Sequence, residues 1–244
     1  MSRDQQLTEL AARLKQAAGS NLLSIILYGS GATEEFHAKH SDLNVLCVVR
    51  QLHRDELSKL HAASAWWAKK GHPTPLFFTL DELRHSADVF AIELLDIKRA
   101  RRVLLGEDVF DSLEVPMDLH RMHVERELRS NTIRLRQHYV LHPTDSRKTL
   151  GLMLSSISTF MALFRHALIA LGEDGPPTNR ATVERAGSVL GFDAAPFHFV
   201  LDIREGRKRE REVDAQATFD KYLEGIVKAT EEVDRRLAVR STNA

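Results

Sequence analysis

The amino-acid sequence predicts an α+β protein, with an α/β domain at residues 1–116 followed by a helical bundle at residues 117–244. Two observations lead to this prediction. Short β-like apolar runs alternate with helical stretches up to Pro116, whereas every long segment beyond it has the apolar spacing of a helix. Hydrophobic residues make up 43% of the chain, which is enough for real cores and too much for a disordered protein.

The first domain is predicted to begin with an amphipathic helix over residues 3–18, because its leucines recur at helical spacing and Gly19 can end it. Two continuous apolar runs, Leu22 to Tyr28 and Leu43 to Val49, are short enough to be buried strands. The segment between them is too short for a helical crossover. It can hold about one helical turn after its glycines.

Residues that break or cap helices predict the remaining helices and strands of this domain. A helix over residues 53–70 stops at Gly71, and a third strand covers Leu76 to Thr79. Either Thr79 or Asp81 can cap a helix that starts in DELRHS. Residues 89–105 fit two interpretations, because their Val, Ile and Leu content favours a strand and their length favours a helix.

The second domain is predicted to contain five helices, since periodic apolar segments alternate there with turn clusters such as GEDGPPTN. The predicted helices cover 117–141, 145–171, 179–190, 195–209 and 213–239. The most apolar stretch, at 150–164, is shorter than the roughly 18 residues that a spanning helix needs, so a buried bundle helix is expected. Arg165 follows it directly and is expected either to pair with a buried acid or to reach a substrate.

The charge balance and the single cysteine limit which kinds of protein this chain can be. Lys+Arg and Asp+Glu both number 34, so no overall field attracts the chain to nucleic acid or to a membrane surface. The basic cluster from Lys98 to Arg102 has acids beside it and is expected to be a solvated face. The single cysteine, Cys47, is expected to be a small buried hydrophobe. The first residues do not resemble a signal peptide, and a soluble, cytoplasmic protein is expected.

The candidate site lies where the first two strands meet the loop between them. Gly29-Ser30-Gly31 follows the first strand, and glycine lets backbone N–H groups approach a phosphate closely while serine adds a hydroxyl donor. Asp42 and Asn44 open the second strand, and residues two apart on a strand project to the same face. Together these groups predict a site for a phosphate and a metal ion.

Tyr28-Gly29-Ser30 and Asp42-Leu43-Asn44-Val45 resemble the active-site pattern of the DNA polymerase beta superfamily of nucleotidyltransferases. That pattern is a Gly-Gly or Gly-Ser followed, after a spacer of similar length, by Asp-x-Asp or Asp-x-Glu in an apolar strand. The helical second half resembles the kanamycin- and streptomycin-type members in architecture. The resemblance implies a small mixed-sheet nucleotidyltransferase domain followed by an antiparallel helical bundle, with a nucleoside triphosphate as substrate or ligand and Mg²⁺ as cofactor.

By this resemblance, Gly29, Ser30 and Gly31 would bind the phosphates, and Asp42 would be both a catalytic residue and a ligand of Mg²⁺. Asn44 stands where the family has its second metal carboxylate and offers only a neutral carbonyl oxygen. The third strand, which would carry the third acid, has no carboxylate. Glu93 is the predicted catalytic substitute if its segment is a strand that faces the site, whereas Asp96 shares its face only in a helix.

Two functions are therefore predicted. The first is an enzyme that transfers a nucleoside monophosphate from a triphosphate to a hydroxyl acceptor, impaired by Asn44. The second is a catalytically inactive nucleotide-binding or protein-interaction member of the same fold. The sequence does not identify the acceptor, and it leaves open both a monomer and a homodimer.

Overall fold

The computed structural model describes residues 1–33, 42–212 and 214–242. Within them the chain forms two compact units, Met1–Pro116 and Met117–Ala244. The first unit contains a four-stranded sheet with helices, and the second contains helices packed on one another. The predicted α+β fold class is confirmed.

The sheet of the first unit is mixed. Its strands are β1 (Leu22–Tyr28), β2 (Asn44–Val49), β3 (Leu76–Thr79) and β4 (Arg101–Gly106), in the spatial order β3-β2-β1-β4. Strand β1 pairs antiparallel with both β2 and β4, and β2 pairs parallel with β3. Three of the strands were predicted, and β1 and β2 lie side by side, so the two halves of the candidate motif meet where β1 ends and β2 begins.

Four helices cover the two faces of this sheet. They are α1 (Arg3–Ala18), α2 (Arg54–Lys69), α3 (Leu80–His85) and α4 (Ala91–Arg99). One face packs against α1 and α2 in a cluster that includes Leu10, Leu43 and Trp67. The opposite face packs against α3 and α4 in a second cluster that includes Leu46 and Leu94. Alternate residues of β2 enter alternate clusters, as the pleat of a strand requires.

One helix cap and one hydrogen bond between distant residues mark the boundaries of the elements within residues 76–106. Thr79 is the cap of α3, where its hydroxyl accepts a hydrogen bond from the N–H of Glu82 at 3.1 Å and the Glu82 carboxylate accepts one from the N–H of Thr79. Residues 89–105 contain both predicted alternatives in succession, first α4 and then β4. They separate at Ala100, whose carbonyl accepts a hydrogen bond from the N–H of Gly29.

Cys47 lies on β2 and is fully buried between Ile25 on β1 and Phe77 on β3. Burial raises the pKa of its thiol to about 12. We expect a thiol reagent such as Ellman's reagent to leave the native protein unlabelled near neutral pH and to label one cysteine after unfolding in guanidinium. Fast labelling of the native protein would show that β2 is accessible and would contradict this packing.

The second unit contains five helices within the described residues: α5 (Met117–Val140), α6 (Ser146–Ala170), α7 (Asn179–Leu190), α8 (Ala195–Arg204) and α9 (Ala215–Thr242). All five were predicted. Helix α8 is shorter than expected because Gly206, just beyond it, has a φ of +72° and turns the chain out of the helix.

Helix α6 is the core of this unit and packs against each of the other four helices. In the part of the chain that the structure describes, it alone has the length and composition to cross a membrane, with a mean hydropathy of 1.5. Of its most apolar window, 56% is buried inside the protein. Phe160 and Phe164 lie among Phe197 and Tyr222, with ring centroids 4.7 to 6.3 Å apart. These contacts are those of a bundle core.

Two polar side chains of this core join separate segments of the unit. Arg165 is buried and donates hydrogen bonds to the Pro176 carbonyl at 3.3 Å and to Oδ1 of Asn179 at 3.2 Å, so it fastens the loop that follows α6. His120 is fully buried. Its Nε2 lies 2.8 Å from Nδ1 of His166 and joins α5 to α6.

Candidate nucleotide site

The turn after β1 is built by its glycines. Gly29 has a φ of +72°, a conformation that side chains rarely adopt, and its N–H donates to the Ala100 carbonyl at 2.9 Å. Residues Gly29–Ala32 form a single 3-10 turn, close to the one helical turn that was predicted. Its last hydrogen bond runs from the N–H of Thr33 to the Ser30 carbonyl at 3.3 Å. Residues 34–41, which come next in the chain, lie outside the described residues.

The structure brings this turn against residues 42–44. A Cβ placed on Gly31 would lie 3.3 Å from the Asp42 carbonyl oxygen and 3.2 Å from Cδ2 of Leu43, and one on Gly29 would lie 3.8 Å from Nδ2 of Asn44. Asp42 is exposed, Ser30 and Asn44 are half-buried, and Leu43 is buried beneath them. The glycine turn, the one carboxylate and the amide therefore share one solvent-accessible corner of the sheet.

A row of cross-strand neighbours continues from this corner across the sheet. Tyr28 on β1 pairs with Asn44 on one side and with Arg101 on the other, so the three side chains project from the same face. Arg101 is mostly buried, with its side chain 16% exposed, and its Nε contacts both carboxylate oxygens of Asp108 at 2.8 and 2.9 Å. Burial raises the pKa of the Tyr28 phenol.

Arg101 corrects one expectation. Its cluster was predicted to be a solvated face, but its guanidinium is held by Asp108, by Asp111 at 2.6 Å and by the Lys98 carbonyl. A fixed cation therefore lies two strands from Asn44, on the face to which Asn44 projects. No sequence pattern predicts the position of Arg101, because it depends on the pairing of β1 with β4.

No third acid joins this corner among the residues described. Strand β3 carries none, as expected. Glu93 is an exposed residue of α4, so the strand that its catalytic assignment required is absent. The segment is a helix because Ala91, Leu94 and Ile97 recur every three residues and are all buried, Leu94 and Ile97 in the cluster that covers the sheet. Asp96 is half-buried on the same helix.

His72 is a neighbour of Asp42 that sequence reasoning missed. Its ring packs on Trp67 with centroids 4.2 Å apart, and its Nε2 lies 2.9 Å from Oε1 of Gln6. Partial burial lowers the pKa of His72, and the negative charge of Asp42 opposes that shift. An imidazole therefore stands close enough to Asp42 to interact electrostatically with it.

We expect this histidine to make the stability of the first unit depend on pH. Because folding lowers the pKa of His72, the neutral form is favoured in the native state, and the stabilisation is present above the unfolded pKa of about 6.5 and is lost as the pH falls below it. Thermal unfolding between pH 5 and 8, followed by tryptophan fluorescence, should show a smaller loss at acid pH for His72→Gln than for the wild type. His61→Gln, at an exposed histidine of α2, should behave as the wild type does. Equal pH dependence in all three proteins would contradict the assignment.

The donor set limits what metal could bind here. Within the ranges that the structure describes, there is no group of three or more His, Cys, Asp or Glu side chains arranged to hold an ion. Asp42 supplies one charge and Asn44 a neutral oxygen. These residues do not fit a two-cation clamp, in which carboxylates bridge the ions. They fit at most one hard cation that receives most of its ligands from a bound nucleotide and water.

Comparison with known proteins supports the fold of this chain and does not by itself establish an activity. No family model matches the sequence, and no curated protein matches it significantly. The structure is similar to the crystal structure of spectinomycin adenyltransferase AAD(9) from Enterococcus faecialis, solved with ATP and spectinomycin. The match has a TM-score of 0.54 and 13% sequence identity, and it covers 92% of this chain and 99% of the other. The predicted resemblance to a nucleotidyltransferase fold is thereby confirmed over both units.

Proposed function

We propose that this protein binds a nucleoside triphosphate at the corner formed by Gly29, Ser30, Gly31 and Asp42, and that it transfers nucleotides slowly or not at all. The observation that carries the proposal is the close approach of the Gly31 turn to the Asp42 backbone beside an exposed carboxylate. Backbone N–H groups and the Ser30 hydroxyl would hold phosphate oxygens. The similar fold of a protein solved with ATP supports the same ligand class.

The chemistry of the side chains argues for weak catalysis. Asn44 contributes no charge, β3 has no acid and Glu93 lies on a helix. If Mg²⁺ enters with the triphosphate, Asp42 and the Asn44 carbonyl would be its protein ligands, and the ion would neutralise phosphate charge. We further propose that the protein is soluble and acts in the cytoplasm, where nucleoside triphosphates are available.

Calorimetry tests the binding. We expect ATP or GTP to bind the wild-type chain, more tightly with Mg²⁺ than without, and we expect Asp42→Asn to lose about tenfold or more of the Mg²⁺-dependent affinity. Ser30→Ala should lose roughly two- to tenfold, the effect of one hydrogen bond. Asp88→Asn, at an exposed acid elsewhere in the same unit, is the matched control and should bind normally. A wild-type chain that binds no nucleotide would overturn the proposal.

A second function, nucleotidyl transfer to a small hydroxyl-bearing acceptor, is favoured by one observation. The AAD(9) structure, which contains an acceptor as well as ATP, aligns with both units of this chain and not only with the sheet. Pyrophosphate release measured with ATP, GTP and a panel of polyhydroxylated small molecules distinguishes the two. Acceptor-dependent release that is lost in Asp42→Asn would establish the enzyme, and tight binding without release would establish the nucleotide-binding protein.

A further inference from the structure

A groove runs along the seam between α5 and α9, on the outside of the second unit. The two helices are antiparallel, because Arg129 in the middle of α5 contacts Asp234 in the C-terminal half of α9 at 2.8 Å, and the hydroxyl of Tyr139 at the end of α5 contacts Gln216 at the start of α9 at 3.1 Å. Two adjoining cavities of about 230 and 610 Å³ lie along the seam and share Arg136, Val227 and Glu231. They form one shallow, open trough between the helices.

The trough has an apolar floor and edges of opposite charge. Ile133 lies in the floor with 53% of its surface exposed, beside the half-buried Leu223 and Val227. The α5 edge carries arginines, including the exposed Arg136. The α9 edge carries mainly acids, namely Asp220, Glu224 and Glu231, with one lysine, Lys228.

Further exposed apolar residues lie beyond the trough on the same side of α5, with charged residues such as Arg126 and Arg129 between them. Met122, Ile133 and Val140 are spaced by eleven and seven residues, which places them on one side of the helix. They are 60%, 53% and 72% exposed. Single exposed hydrophobic residues are common on protein surfaces, but three in register beside an apolar groove indicate a surface that associates.

We propose that the seam of α5 and α9 binds a second copy of this chain. The surface is complementary to itself: a two-fold axis parallel to the length of the trough would place the arginine edge of each copy against the acidic edge of the other, with Ile133 packed on the opposite floor. The helices have 24 and 28 residues, so together they present roughly 36 by 20 Å, near the ~800 Å² per partner of a standard interface. The inference is independent of the nucleotide site, which lies in the first unit.

Sedimentation equilibrium of the full chain tests the proposal. The wild type should be a dimer, and Ile133→Glu should weaken dimerisation about a hundredfold or more, because a carboxylate would be buried in the apolar centre. Val89→Glu changes an exposed apolar residue of the first unit and should remain dimeric. Circular dichroism shows whether each variant is folded.

Charge reversal provides the specific test. Arg136→Glu and the double substitution Glu224→Arg with Glu231→Arg should each weaken self-association about tenfold or more, and an equimolar mixture should form a heterodimer. A mixture that remains monomeric would refute this pairing. A wild type that is monomeric at its highest soluble concentration, or a dimer insensitive to all these variants, would overturn the proposal and leave the trough to a different partner.

Discussion

Asn44→Asp is expected to raise the Mg²⁺-dependent affinity for a nucleoside triphosphate by at least about tenfold, and to create or raise pyrophosphate release. Asn44 is half-buried, and its amide lies beside the Gly29 turn, within the corner that contains Asp42. A second carboxylate here adds an elementary charge a few Å from any cation that Asp42 holds. That attraction is worth several kcal/mol at an effective dielectric constant near 20.

Calorimetry and a coupled pyrophosphate assay measure the two effects separately. EDTA should abolish the gain in both, since the new carboxylate acts through the ion. Asn21→Asp adds the same charge elsewhere in the first unit, where the Asn21 side chain bonds to the backbone of Gln51, and it should give no gain. If Asn44→Asp changes neither affinity nor release, the loss of function extends beyond this one position.

The second large effect is expected from Gly106→Ala, which should lower the free energy of unfolding of the first unit by roughly 3 kcal/mol or more. Gly106 ends β4 with a φ of +82°, where an L side chain costs about 1–2 kcal/mol. The Cβ that the substitution adds would also overlap the carbonyl oxygen of Leu23 and lie 3.0 Å from the Cα of Ser24. Relieving that overlap requires β1 and β4 to separate, at a cost of about 1–3 kcal/mol.

Gly71→Ala is the matched control for this experiment. Gly71 has a similar φ of +87°, but nothing lies within 4 Å of its added Cβ, so this variant should show the backbone strain alone, about 1–2 kcal/mol. Urea unfolding followed by tryptophan fluorescence is the measurement, because both tryptophans of the chain, Trp66 and Trp67, belong to α2 of the first unit. If Gly106→Ala and Gly71→Ala lose the same free energy of unfolding, then β1 and β4 accommodate the Cβ added at residue 106 at no cost in stability.

The sequence predicted the elements whose apolar pattern is decided locally. Strands β1 and β2 are continuous apolar runs between breakers, and α1 has a single leucine stripe ended by Gly19. Residues 89–105 could not be divided, because one apolar segment there supplies a helix and then a strand. The division occurs at Ala100, where the hydrogen bond from Gly29 comes from a residue 71 positions earlier, and such a tertiary contact leaves no periodic signal.

Of the candidate site, too, the sequence predicts only the residues that lie close together along the chain. Gly29, Ser30, Asp42 and Asn44 are close in sequence, and the pairing of their two strands brings them together. Arg101 and His72 reach the same region through β4 and through the residues after α2. Neither belongs to a motif, so only the folded arrangement of the chain shows their proximity to the corner.

Helix α6 also has a consequence for synthesis on the ribosome. It is the most apolar element of the chain, yet three of the four helices that cover it, α7, α8 and α9, are translated after it. Until α9 has emerged, a nascent chain displays a stretch that resembles a membrane segment, and exposed apolar surface of this kind aggregates or recruits chaperones. Ribosome-bound chains that stop before Ala215 should therefore bind a chaperone such as trigger factor more strongly than chains that extend past α9.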